Sequence, residues 1–422
     1  MKKIQQIVQK FSNKMSAALL LMLTSILFFV WTAGLSVPAA SFLYDNSPKL
    51  IAMSILILLG LNIYKARGAD FFYLGATVVI FLFFSFFREI RNESLSGDLL
   101  LPLVIIFVLV VKWIEFTKWD RAMYLLVFYL FLGITVYRVF TEIQVPEGQS
   151  IWLPGNSLSD IWINTNTIGG SLLTLALLIS GFASSFEKWY VRMLALPAVV
   201  AALLGIWVCQ SRGALVALIV FAVLDILPKF SMKIIRAPFI AYTATIILAL
   251  PLSYLAGSSE KVNLFTGRED IWNHFYQTLS EKTEQIWLGM QPFVFHRGHQ
   301  VLGNHNSYNS ILNLYGLVGF GLVVLLLLGY IGKLTLRADL SNGQMTFLWA
   351  FFAILMQSFM EDTLTSYPWL PLIYLLLAMA SHRYDGYDEY IEYDESEIPG
   401  HIESRDFEDD TEGSFSRIKR YH

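Results

Sequence analysis

The chain has 422 residues, of which 55% are hydrophobic, 15% aromatic and only 15% charged, with a formal net charge of −3. A soluble domain carries about 25% charge, so too little polar surface is left here to cover a water-exposed globule. The single cysteine, Cys209, excludes an internal disulfide, and no metal-type Cys/His spacing is present.

The apolar residues fall in runs of about 15–23, the length that crosses a ~30 Å hydrocarbon core as a helix. Runs such as 100–111 (LLPLVIIFVLVV) and 321–330 (GLVVLLLLGY) do not alternate apolar and polar residues, which argues against a β-barrel. The first run follows Lys2, Lys3, Lys10 and Lys14 and is longer than a signal-peptide core, so it is expected to remain as a first span. In chain order the expected spans are 16–38, 50–64, 70–87, 98–112, 122–139, 161–183, 193–210, 213–228, 237–256, 310–331, 344–360 and 367–381. The fold class expected is therefore an all-α membrane protein with about 12 transmembrane helices. Cys209 is expected to pack as a small apolar residue within a span.

Loop charge alternates along the chain. One set of loops, together with both ends, holds 21 of the 30 Lys and Arg residues, and by the positive-inside rule that side is cytoplasmic. An even number of spans puts both termini there. The chain then divides into spans one to nine (1–256), an extracytoplasmic loop (257–309), spans ten to twelve (310–382) and an acidic, tyrosine-rich tail (383–422). The tail lacks any helical apolar period and is expected to be disordered.

The loop holds four of the seven histidines: His274, His296, His299 and His305. Thr266 and Glu269 fit a capping box. Ile271, Trp272, Phe275, Tyr276, Leu279, Ile286 and Trp287 then recur at helical spacing. The spacing predicts one amphipathic helix over about 267–286, lying on the outer membrane surface. Arg268 falls in its first turn, where a positive charge opposes the helix dipole but could join free backbone N–H groups in binding an anion. Arg212 stands at the junction of two apolar runs (WVCQSRGALVAL) with no acidic neighbour in sequence. An arginine costs about 2.5–3.5 kcal/mol at a helix centre, so it either snorkels outward or meets an anion. His305, Asn309 and Asn313 repeat every four residues and predict a polar stripe entering an apolar helix. Histidine takes up a proton near neutral pH, which makes His305 a candidate general base.

Secondary candidates flank these residues. Asn306, Tyr308 and Asn309 adjoin His305, while His296, Arg297 and His299 suit anion or sugar contacts. Arg88 and Arg91 end the third span, either joining an anion site or anchoring the interface. Asn164 and Asn166 open the sixth span, where they could bind sugar hydroxyls or cap a helix. Glu361 and Asp362 end the eleventh, where they could orient a base, bind sugar or serve as interface charge.

Three motifs in order carry a resemblance to a known family. They are Gln210-Ser211-Arg212-Gly213-Ala214-Leu215, then Gly267 and Arg268 with Ile271 and Trp272, then His305-Asn306 and Tyr308 followed by LYGLVGF. Together with the span count and the long loop before the last three spans, this set resembles the O-antigen ligase/polymerase superfamily. The motifs occupy only about 205–320 and none is specific alone. The resemblance implies a glycosyltransferase-C-like fold with a helical periplasmic loop in a bacterial inner membrane. It implies a glycan donor on undecaprenyl diphosphate, bound through Arg212 and Arg268, and His305 as the base on the acceptor hydroxyl. No cofactor or metal is implied, and the partners are that donor, a lipid A-core acceptor and membrane lipids, with no nucleic acid.

Ligase and polymerase share these motifs and differ in acceptor: lipid A-core for the ligase, a second lipid-linked glycan for the polymerase. The compact loop ending in His305-Asn306 favours the ligase. The acidic tail is not a feature expected of the family. A lipid-linked glycan transporter is the rival from another class, but no internal repeat is evident and the span centres are nearly free of charge. A membrane scaffold is a third reading, and it would not need Arg212, Arg268 and His305 on one side.

Overall fold

A computed structural model describes residues 2–90, 100–145, 147–148, 150–152, 165–227, 229–259, 265, 267–298, 300–336 and 340–384. In chain order the helices are α1 (Lys2–Ala33), α2 (Pro38–Asp45), α3 (Ser47–Asn62), α4 (Gly68–Ile90), α5 (Leu100–Trp113) and α6 (Lys118–Glu142). Next come α7 (Thr165–Ser184), α8 (Trp189–Arg192), α9 (Ala195–Cys209), α10 (Arg212–Ile226), α11 (Lys229–Ile234) and α12 (Ala237–Ser258). The last group is α13 (Arg268–Ser280), α14 (Thr283–Leu288), α15 (Ser307–Thr335), α16 (Asn342–Gln357) and α17 (Leu370–Met379). Two short strands, β1 (Phe295–Arg297) and β2 (Gln300–Leu302), pair antiparallel with His296 opposite Val301.

Each of the twelve expected stretches contains a helix, but the first breaks at 34–37 between α1 and α2 and the helices differ in length. Among the described residues, eight are long and apolar enough to cross a membrane, and Leu100–Trp113 and Tyr367–Met379 are shorter apolar helices. With α10 and α16, at 15 and 16 residues, these two fall below the ~20 residues that span a bilayer untilted. Large apolar side chains such as Leu126, Leu130 and Leu325 face outward and exposed, as a protein surrounded by lipid requires.

Helix α7 is the centre of the bundle. Every residue from Ile168 to Ser184 is buried, and an all-round apolar helix is stable only inside other helices. Its small residues let neighbours approach closely, as in membrane helix packing. Gly170 lies against the Trp369 ring and Gly181 against the Phe347 ring, while Gly169 meets Ser211 at the head of α10. Cys209 is buried at the end of α9.

Several basic groups gather at one end of this bundle and cap its helices there. Lys65 donates to the Trp113 carbonyl at 3.0 Å, and Arg121 to the Ser185 carbonyl at 2.6 Å. Lys112 pairs with Asp70 at 2.7 Å and Lys229 with Asp225 at 2.9 Å.

The segment after α12 departs from its sequence reading. The single helix expected over 267–286 is two, α13 and α14, interrupted at Glu281 and Lys282. Much of its apolar face packs against protein, while Trp287 stays exposed. Trp272 and Phe275 are fully buried, in clusters that include Ala256 and Leu250 of α12 and Leu312 of α15. Burying a face inside the protein removes it from competition with the membrane. Thr266, the expected cap, lies outside the described residues; Gly267 is the N-cap, and Glu269 reaches back to the Phe265 N–H at 2.6 Å. The tail expected from 383 begins later: Tyr384 is buried, its hydroxyl on the Met379 carbonyl at 2.7 Å. The rest of that tail lies outside the described residues.

Candidate functional site

The site forms where the chain before α15 meets the chain after α16. Asn306 caps α15, its side-chain oxygen accepting from the N–H groups of Tyr308 at 2.9 Å and Asn309 at 3.1 Å. Ser307 stitches this turn to the far segment: its N–H donates to the Ser358 carbonyl at 2.9 Å and its hydroxyl to the Glu361 carbonyl at 2.7 Å. Asp362 clamps the same turn. It accepts from the backbone N–H of His305 at 3.0 Å, that of Asn306 at 3.2 Å and the Ser310 hydroxyl at 2.6 Å.

These bonds hold His305 at φ +46°, a left-handed conformation that is uncommon for a non-glycine residue and persists where the surroundings over-determine it. His305 therefore sits outside α15 and is not part of a helical stripe, which corrects the sequence reading. Asn309 and Asn313 continue into the helix, fully buried. Asn309 accepts from the hydroxyls of Ser253 and Tyr276, both at 2.9 Å, and Asn313 from the Phe293 N–H at 3.0 Å. Tyr308 is also buried, donating to the Leu355 carbonyl at 2.9 Å. Asn306, Tyr308 and Asn309 thus hold the turn and the helix together.

Arg268 reaches the site from the first turn of α13. Its Nη2 donates to Oε1 of Glu361 at 2.6 Å, and both side chains are largely buried. The other carboxylate oxygen of Glu361 faces His305 Nδ1 at 3.7 Å, an ion pair when the imidazole is protonated. Glu361 thus joins two of the three principal candidates. Trp272 fixes the approach by donating from its indole to the Asn304 carbonyl at 3.0 Å.

Charge follows from this geometry. The Glu361 carboxylate, above all, holds the His305 imidazole above its ordinary pKa; partial burial and the charge of Arg268 oppose this, and Asp362 adds to it. Burial raises the Asp362 carboxyl, the bonds from Ser310 and the Asn306 N–H and the charge of His305 work against it, and the charge of Glu361 adds.

Arg212 is placed differently. It opens α10 after Gln210, a residue at φ +58°, and its side chain is exposed with no hydrogen bond or ion pair among the described residues. Its neighbour Gly213 packs against Met360, with an added Cβ 3.2 Å from that of Met360. The head of α10 therefore abuts the segment bearing Glu361, while the guanidinium itself points to the surface.

A cavity of about 200 Å³ adjoins these groups, lined by His305, Glu361 and Asp362, by Asn166 at the start of α7, and by Trp31 and Trp369. Neither Arg212 nor Arg268 lines it. His296 and Arg297 are exposed on the hairpin; Arg297 donates to the Gly267 carbonyl and lies over the Phe295 ring. His299, Arg91 and Asn164 lie outside the described residues, as does the side chain of Arg88. Among the described residues, no three His, Cys, Asp or Glu side chains group as a metal-binding set.

Sequence reasoning weighed Glu361 and Asp362 as groups that could orient a base, bind sugar or serve as interface charge, and it did not single out Trp31, Gln357 or Trp369. An adjacent acidic pair directly after an apolar run was the available signal, since ionisable groups at a membrane boundary have partners or functions. Comparison with known proteins finds no matching family model, no matching curated sequence and no matching solved structure.

Proposed function

We propose that this multi-pass membrane protein is a glycosyltransferase of the O-antigen ligase kind. In this reading it moves a glycan from undecaprenyl diphosphate to a lipid A-core hydroxyl on the periplasmic face of a bacterial inner membrane. Twelve membrane crossings, a glycosyltransferase-C-like fold and two cytoplasmic termini belong to the same reading. The observation that carries it is Glu361 held between Arg268 and His305 at the mouth of a cavity. That arrangement provides a base, a group to steady it and an anion-binding side chain within one site.

The chemistry runs as a single displacement. His305 takes the proton of the acceptor hydroxyl as its oxygen attacks the anomeric carbon. The bond from that carbon to the phosphate oxygen breaks, and its electron pair leaves with the diphosphate. Glu361 stabilises the imidazolium that forms, as a carboxylate beside a catalytic histidine does. Arg268, and Arg212 from the head of α10, are assigned to the charge growing on the diphosphate, which guanidinium groups bind through charge-assisted hydrogen bonds. Inversion at the anomeric carbon follows from the resemblance alone.

The test replaces Arg212, Arg268 and His305 singly with alanine in a host lacking the native copy, with membrane insertion verified. Loss of the base lowers turnover by about 10²–10⁴-fold. Gels of surface lipopolysaccharide should then show free core, and lipid-linked polymer should accumulate. Core bearing one repeat unit would instead identify a polymerase. Three inserted variants indistinguishable from wild type would end the enzymatic reading.

A further inference from the structure

The cavity beside His305 has a chemistry separate from that of the arginines. Trp31 and Trp369 form one wall, stacked with ring centroids 4.6 Å apart and planes 13° from parallel. Tyr44 meets Trp31 edge-on at 5.7 Å. Amide groups of Asn166 and Gln357 lie on the lining. The Gln357 oxygen accepts from Thr363 at 2.7 Å, and its nitrogen lies 3.7 Å from where a Cβ on Gly170 would sit. His305, Glu361 and Asp362 complete the lining, and no Lys or Arg contributes to it.

This lining offers a diphosphate little. Arg268 is already paired with Glu361, His305 is the one lining group that can carry positive charge, and no Lys or Arg faces the space to grip phosphate oxygens through paired hydrogen bonds. It suits an uncharged ring with hydroxyls on its edges and C–H groups on its faces. Aromatic side chains take the apolar face while amides and carboxylates take the hydroxyls. Size narrows the choice. A cavity of about 200 Å³ is smaller than the ~300–1,000 Å³ of pockets for drug-sized ligands, so it admits one ring and not an oligosaccharide.

We propose that the cavity between Trp31, Trp369 and Asn166 binds a single neutral pyranose, the terminal sugar of the acceptor, with one hydroxyl turned to His305. Assigning the ring to the acceptor rests on the glycan-transfer reading; its recognition as a pyranose rests on the lining. The same ring chemistry is offered by the first sugar of the donor. The acceptor is favoured because the cavity is lined by His305, the base in that reading, and the hydroxyl that a base must deprotonate belongs to the acceptor.

The experiment uses the full chain in lipid nanodiscs. Four probes are titrated: core oligosaccharide released from lipid A, a set of methyl pyranosides, undecaprenyl diphosphate, and undecaprenyl diphosphate carrying one sugar. Gly170→Ala adds a methyl group at ordinary contact distance from Trp369, 3.6 Å, narrowing the cavity without a clash; Gly170→Leu fills it. Gln357→Ala removes an amide, and the loss of one hydrogen bond of about 1 kcal/mol weakens binding roughly fivefold.

The expected result is that wild type binds core oligosaccharide, Gly170→Ala and Gln357→Ala bind it more weakly and Gly170→Leu loses it, with undecaprenyl diphosphate binding unchanged. Unchanged core binding by Gly170→Leu, or no core binding by wild type, overturns the proposal. So does selective loss of a donor carrying one sugar. Transfer activity separates the two readings. If Gly170→Leu transfers normally, the cavity is not the acceptor site while the transfer reading stands. If methyl pyranosides bind here but no transfer occurs in wild type, the transfer reading falls and the sugar site remains.

Discussion

Glu361 faces two cations of different kinds. The guanidinium of Arg268 keeps its charge at every accessible pH, whereas the imidazole of His305 carries charge only when protonated. Because the carboxylate raises the pKa of His305, general-base activity, which needs neutral imidazole, should rise with pH through a value above the ordinary ~6.5. Glu361→Gln removes the main cause of that upward shift. Its pH–rate profile is expected to have its ascending limb displaced to lower pH, with a lower plateau because Arg268 loses its partner. An unmoved limb would show that Glu361 does not act through His305. The stability linkage has the opposite sense. The folded pKa of His305 lies above the unfolded one, so the pair stabilises the loop fully below ~6.5. That contribution is lost as pH rises through the raised value.

At this scale the sequence was partly legible. Arg212, Arg268 and His305 stand out as polar groups at the ends of apolar runs, where a solvation cost needs a reason. Glu361 does not stand out in the same way, because its partner Arg268 lies 93 residues earlier and no local period links them. Asn309 and Asn313 are polar for internal reasons, serving as hydrogen-bond partners in the packing around α15.

Among the elements, α14 and α15 are fastened by two glycines. Gly316 interrupts α15 at φ +60° and ψ −168°, a conformation essentially restricted to glycine. A Cβ there would lie 2.5 Å from the Gly289 backbone nitrogen, and one on Gly289, itself at φ +85°, would lie 2.6 Å from the Leu314 carbonyl oxygen. Backbone atoms cannot rotate out of the way. Between the two glycines Met290 donates its N–H to the Asn313 carbonyl at 2.8 Å. Gly316→Ala should therefore destabilise the protein by about 3 kcal/mol or more from strain and overlap together. A thermal melt in detergent, paired with limited proteolysis across 281–300, checks this; an unchanged melt and cleavage pattern would count against the interlock.

The sequence did not reveal the break because the apolar run 310–331 continues through Gly316 with helical hydropathy on both sides. The β1–β2 hairpin was invisible for a different reason: three-residue strands are too short to establish an alternation.

For the whole molecule, Lys65, Lys112, Arg121 and Lys229 sit at one end of the bundle, and Arg268, His305 and the cavity adjoin opposite helix ends. The buried Cys209 makes orientation easy to measure. In a Cys209→Ser background, a cysteine at Trp119 should react with an impermeant maleimide only from the cytoplasm, and one at Arg297 only from outside. Labelling of both from one side would overturn the proposed orientation. The helical spans were legible because each apolar run has no other stable place to go than lipid or a helical core. Their depth was not: α7 and α4 read alike in hydropathy, yet one is almost wholly buried and the other mostly exposed. What separates them is packing by small residues, which hydropathy does not register.

The stacked pair Trp31 and Trp369 draws one ring from α1 and the other from the turn that leads into α17, the first and last helices among the described residues. A nascent polypeptide leaves the ribosome N-terminus first, so the wall they form is missing until the chain from Trp31 to Trp369 has been made and inserted. Chains stalled midway or inserted with a helix skipped would lack the pocket, however well their earlier helices had settled. The cavity is in this way a late product of assembly, complete only once both ring-bearing segments are in place.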